Sequence, residues 1–89
     1  MKFRKKSIII DAFRWDGAIS TINMLLNLGL ETTQYSASRG IIYDLRIKTL
    51  EGEHIVSNGD WIIRGVKGEF YSCKPDIFKL TYEEVEEPF

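Results

Sequence analysis

The sequence predicts a small α+β domain: a twisted, mostly antiparallel sheet, half-rolled toward a barrel, with one helix packed on it. Three observations carry this reading. Residues 18–28 place apolar side chains at helical spacing. Residues 41–50 alternate apolar and charged side chains, the period of a strand with one wet face. Beyond them, short apolar runs are separated by glycine turns at Glu51-Gly52, Asn58-Gly59 and Gly65–Gly68.

Composition sets the frame for these elements. Eighty-nine residues make one domain, 1–89, near the small end of what folds unaided. An aromatic share of 12% gives large rings with which to build a compact interior. Cys73 is the only cysteine, so no disulfide closes within the chain, in keeping with a reducing compartment. The start is basic (Lys2, Arg4, Lys5, Lys6), but only Ile8-Ile9-Ile10 follows before Asp11. That run is too short for the apolar core of a signal peptide, and no stretch reaches membrane-spanning length. Twelve basic and thirteen acidic residues nearly cancel, yet the acids crowd the other end, where residues 83–89 read as an acidic tail.

The first element is a strand over Ser7–Trp15. Ile9, Phe13 and Trp15 share one face and Ile8, Ile10 and Ala12 the other, which suggests burial on both sides. The helix follows, with Ile22, Leu25 and Leu26 on its apolar face. Asp16 is placed to cap its start, Gly29 to end it, and Asn23 and Asn27 face water. Residues 31–40 are polar and weakly patterned: a loop, or an irregular edge strand through Thr33 and Tyr35. Ile41, Tyr43, Leu45 and Ile47 then form the buried face of a strand, with Asp44, Arg46 and Lys48 in water. Runs at His54–Val56, Trp61–Arg64 and Glu69–Cys73 complete a four-stranded meander. Pro75 starts one turn of helix over Lys74–Phe78, and Leu80 and Tyr82 alternate with Lys79 and Thr81 as a last short strand. That strand is expected to bring the acidic end beside the basic start.

Two stretches carry a resemblance. The opening KFRKKSIIIDAFRWDG and the ending GDWIIRGVKGEFYSCKPDIFKLTYE are similar to motifs of a family of small proteins common in tailed bacteriophages and prophages. Gly59, Asp60, Trp61, Gly68, Glu69, Pro75, Phe78 and Tyr82 match the ending motif, and each reads as structural. Asn58 and Ser72 depart from it, standing where proline is common. The resemblance implies a phage-encoded protein working in the host cytoplasm of an infected bacterium. It supplies no catalytic residues to carry over.

The candidate chemistry is sparse. His54 is the only histidine, and no paired ligand spacing surrounds it, so no metal or other cofactor is expected. Cys73 with His54 and a carboxylate is the one set that would suit a small hydrolase or nucleotide-handling enzyme. Asp60 and Glu69 would serve as an acid–base pair only in a shared cleft; the simpler reading has Asp60 bonding turn amides and Glu69 beside Arg64 or Lys67. Lys5, Lys6 and Lys67 are candidate anion contacts. The basic arm, with Trp15, Trp61 or Tyr71 as stacking rings, would suit nucleic acid, against a net charge of −1. Met24, Leu28 and Leu30 widen the apolar surface of the helix and are candidates for self-association as a homodimer or larger oligomer. The expectation is a non-enzymatic accessory protein that binds a host protein or a small anionic ligand.

Overall fold

The computed structural model describes residues 1–86. Six strands and two helices run in the order β1 (Asp11–Arg14), α1 (Ile19–Asn27), β2 (Thr32–Ser38), β3 (Ile41–Thr49), β4 (Gly52–Val56), β5 (Trp61–Arg64), β6 (Phe70–Cys73) and α2 (Pro75–Thr81). The α+β class stands as read. The single half-rolled sheet does not: the strands form two open three-stranded antiparallel sheets, β1-β5-β6 and β2-β3-β4. Among the described residues no helix is long and apolar enough to cross a membrane.

The meander is therefore two hairpins, not one ribbon. β3 pairs with β4 and β5 with β6, and the Asn58-Gly59 turn carries the chain from one sheet to the other. The cause lies in β5, whose Ile62 and Ile63 are both fully buried. A strand buried on both faces belongs at the centre of a covered sheet. β5 takes β1 and β6 as its two partners, which leaves β4 with β3.

The strand expected over Ser7–Trp15 is shorter than its composition suggested. Only Asp11–Arg14 pairs, against β5, and Met1–Ile9 lie exposed outside any element. Trp15 leaves the strand and stitches the sheets together. Its amide donates to the Asp60 carbonyl at 2.8 Å and its carbonyl accepts from Gly59 at 2.9 Å. Two residues later the Gly17 carbonyl accepts from the Ile42 amide of the second sheet at 2.8 Å. Gly17 is buried with φ +79, and a Cβ there would sit 3.3 Å from the Ile42 carbonyl oxygen, so glycine suits both the angle and the space.

α1 ends at Gly29 as its sequence indicated, but Asp16 does not cap its start: Ala18 is the N-cap residue, and no side chain bonds the first-turn amides. The Asp16 side chain accepts from the Ala18 amide at 3.0 Å, and that bond holds its carboxyl below the usual range. Gly29 takes φ +105 just past the last turn. Ile22 and Leu25 face the core, where they meet Trp15, Leu30, Ile42, Leu45, Ile47, Val56, Ile62 and Phe70. Full burial of such side chains supplies about 1.5–3 kcal/mol each, and this shared core holds the two sheets and the helix together.

β2 is the irregular edge strand, with register shifts against β3 on either side of Gln34. The second shift reverses a sequence expectation. Ile41 and Tyr43 are exposed, while Ile42, Leu45 and Ile47 are buried. Between Gln34↔Arg46 and Ser36↔Tyr43, β3 contains one extra residue, and Asp44 within it has φ +54. This is a β-bulge: the inserted residue flips which side chains face inward. Aspartate tolerates the left-handed region better than most residues, and glycine better still. We therefore expect Asp44→Gly to change stability by less than about 0.5 kcal/mol and Asp44→Val to cost about 1–2 kcal/mol. Urea unfolding would measure both, and equal effects would remove the bulge as the explanation.

The last predicted strand is helix. α2 continues through Thr81, whose hydroxyl donates to the Ile77 carbonyl one turn back at 2.8 Å. Pro75 occupies its first turn, where a missing N–H costs nothing. With no terminal strand, the basic start and acidic end are not joined by pairing: among the described residues the salt bridges are Arg46–Glu53, Lys48–Glu31 and Lys74–Asp60.

Candidate functional site

The two faces of the β1-β5-β6 sheet meet different partners. By strand alternation Phe13, Ile62, Phe70 and Ser72 share one face, and all but Ser72 lie in or against the main core. Arg14, Trp61, Ile63, Tyr71 and Cys73 share the other. α2 lies over that second face. Phe78 and Tyr82, four residues apart, project from one side of the helix toward the sheet.

The result is a ladder of rings. Trp61 and Phe78 stack nearly parallel, with centroids 4.2 Å apart and planes 8° from parallel. Phe78 and Tyr82 follow at 5.0 Å and 27°. The Tyr82 and Tyr71 hydroxyls are 3.2 Å apart. Burial, reinforced by that hydrogen bond, raises the Tyr71 phenol above its ordinary value, so it stays protonated at any physiological pH.

Beside this ladder runs a groove of about 370 Å³, lined by Arg14, Trp61, Pro75, Phe78, Lys79 and Tyr82. Arg14 lies directly across from Trp61 in the β1–β5 register. Neither Arg14 nor Lys79 is in a salt bridge among the described residues. A second hollow of about 390 Å³, lined by Arg14, Trp15, Asp16, Asn58 and Gly59, shares the same arginine. Arg14 and Lys79 escaped sequence reading because their meaning depends on α2. With Tyr82 assigned to a strand, the four-residue spacing of Phe78 and Tyr82 carried no helical message.

The motif residues hold the groove in place. Asp60 is 3% exposed, and one carboxylate oxygen accepts from both the Ser57 amide and the Lys74 ammonium, each at 2.9 Å. Lys74 is the N-cap residue of α2, so this pair fixes the helix start to the head of β5. Gly59 has φ +92 and packs near Pro75. Glu69 accepts from the Lys67 amide at 2.9 Å and lies over Gly65, closing the β5–β6 loop that ends at Gly68. It thus lies beside Lys67, bonding that residue's backbone; the Lys67 side chain itself is exposed.

The candidate catalytic groups stand apart. His54 Nδ1 faces the Ser72 hydroxyl at 3.4 Å on the inner side of β6. Cys73, the next residue in that strand, points to the opposite face, and its thiol donates to the Lys74 carbonyl at 3.6 Å. Burial, with Asp76 and Asp60 nearby, raises the Cys73 thiol above its usual value, the reverse of what a nucleophile needs. Asp60 and Glu69 bracket opposite ends of the β5–β6 hairpin, about 16 Å apart at strand spacing, so they do not pair. Among the described residues no three His, Cys, Asp or Glu side chains are grouped to hold a metal.

The remaining candidates divide. Lys5 and Lys6 are exposed. Trp15 is 2% exposed and offers no face to a base, while Trp61 and Tyr71 are engaged with α2. Of the self-association candidates, Met24 is exposed and Leu28 packs partly against the core. Leu30 is buried at 4% exposure in its own core, so it presents no surface to a second copy. A separate polar network crosses the outside of the other sheet. Glu53 accepts from the Thr33 hydroxyl at 2.6 Å and from Arg46 at 3.2 Å, which together hold its carboxyl below the ordinary range, the threonine bond most. No protein-family model, curated protein or solved structure matches the chain.

Proposed function

We propose that the chain is a phage-encoded accessory protein that acts by binding, without chemistry of its own, in the cytoplasm of an infected bacterium. Its binding surface is the groove between the β1-β5-β6 sheet and α2. Its target is an acidic, aromatic-bearing segment of a host protein. The observation that supports this is the pair of cations, Arg14 and Lys79, beside the Trp61–Phe78–Tyr82 ladder. Arginine presents a planar fork that suits a carboxylate, and ring edges suit an apolar neighbour. The open, shallow form of the groove favours an extended segment over a small molecule, which needs a cavity that buries most of its surface.

The test is a titration of peptides that alternate acidic and aromatic residues, followed by tryptophan fluorescence. A Trp61→Phe variant separates the signal of the groove from that of Trp15. Saturable binding is expected, weakened at least about tenfold by Arg14→Glu with Lys79→Glu, whose reversed charges oppose the target. Circular dichroism should show the double variant folded. Binding of glutamate or phosphate alone with the same affinity would reassign the site to small anions. Peptide binding indifferent to the charge reversals would overturn the reading.

A further inference from the structure

Two exposed patches of this chain complement each other and are not joined within one copy. The first is the N-terminal arm. Residues 1–10 lie outside any helix or strand, and Phe3, Ile8 and Ile9 are 88%, 53% and 77% exposed. Lys2, Arg4, Lys5 and Lys6 stand among them, all exposed. The second patch is the outer side of α2 and the segment after it. Ile77, Leu80 and Val85 are 51%, 85% and 48% exposed, beside exposed Glu83, Glu84 and Glu86. On the helix, Ile77 and Leu80 project away from the Phe78–Tyr82 side that faces the sheet. One patch is basic and apolar and the other acidic and apolar. Among the described residues no salt bridge connects them.

We infer that the arm of one copy docks on the α2 patch of a second copy, and that the exchange is reciprocal. Extended, ten residues reach about 33 Å, enough to cross from one small domain to another. Reciprocity makes the contact two-fold and closed: each copy gives one arm and receives one. It covers apolar side chains that would otherwise remain in water, and it neutralises both charge runs at once. The arm runs straight into β1, an edge strand of its sheet, so docking requires no rearrangement of the core. The groove lies on the opposite side of α2 and stays open in this dimer.

The experiment is a mass measurement by light scattering on the full chain and two charge-reversed variants, Lys5→Glu with Lys6→Glu and Glu83→Lys with Glu84→Lys. The wild-type chain is expected as a dimer at about 50 mM salt, dissociating toward monomer near 500 mM, where screening is short-ranged. Each variant alone is expected as a monomer, since the two substitutions cancel the net charge of the arm, against Lys2 and Arg4, or remove the negative charge of the patch, and affinity falls at least about tenfold. Mixed together, the two variants are expected to form a heterodimer, because the unchanged basic arm of one meets the unchanged acidic patch of the other, and on the reciprocal side the introduced glutamates of the reversed arm face the introduced lysines locally. An arm folded back on its own copy would give monomers in the mixture and overturn the inference. So would a wild-type chain that remains monomeric at low salt, or one that binds anionic lipid vesicles as a monomer. All these masses are independent of Arg14 and Lys79, so the outcome is separable from that of the peptide titration.

Discussion

Replacing Trp15 with alanine is expected to destabilise the protein by about 3–5 kcal/mol. The ring is 2% exposed and belongs to the core cluster shared by both sheets and α1. Its backbone bonds to Asp60 and Gly59 survive the substitution, so the loss is that of the side chain: transfer out of water plus an unfilled cavity. A domain of this size holds roughly 4–13 kcal/mol in total, at 0.05–0.15 kcal/mol per residue. The variant should therefore melt roughly 12–40 °C lower, at about 4–8 °C per kcal/mol, or fail to fold at 37 °C. Thermal unfolding followed by circular dichroism measures this, with Trp15→Phe as the milder companion. A loss below about 1 kcal/mol would mean that the ring is not part of the core.

The importance of Trp15 was only half legible. Its aromatic, β-branched neighbourhood read as a doubly buried strand, yet Ile8 and Ile9 stand in water and the doubly buried strand is β5. Composition reports that a segment can be buried; it does not report which partner arrives to bury it. The Asn58-Gly59 signal shows the same limit. A turn former specifies that the chain reverses, while pairing across it depends on what else competes for the strand, here β1. By contrast, α1, the β3–β4 and β5–β6 hairpins, and the start of α2 follow from signals confined to a few neighbouring residues, and each formed where its sequence placed it.

The phase of β3 was hidden for a different reason. The pattern Ile41, Tyr43, Leu45, Ile47 is a faithful strand signal, and its second half is right. One residue in the left-handed region, Asp44, inverts the first half, and no periodicity rule anticipates a bulge. The groove suffered similarly. Phe78, Lys79 and Tyr82 satisfy both strand alternation and helical spacing over so short a run. Pro75 at the first turn was the tie-breaking signal, and its reach was underestimated by one helical turn.

The second large effect concerns Asp60, which sequence reading assigned to a turn and which also anchors the groove. Asp60→Ala is expected to cost about 2–3 kcal/mol. Two partners are lost together, the Ser57 amide and the Lys74 ammonium. Lys74 is 60% exposed at its side chain, so water recovers much of its share, and the figure stays below that of a fully buried ion pair. Lys74→Met is expected to cost about 1–2 kcal/mol: it strips the counter-charge from a carboxylate that is only 4% exposed, but leaves the amide bond in place. The double variant should cost less than the sum of the two by about 1 kcal/mol, since each single change already breaks the same contact. Urea unfolding of the four proteins closes the cycle. Because the Lys74–Asp60 pair ties the N-cap residue of α2 to the head of β5, both single variants should also weaken peptide binding in the groove without altering any residue that lines it. A strictly additive cycle would show that the turn alone accounts for Asp60, and that the helix beside the groove is held by its ring stack instead.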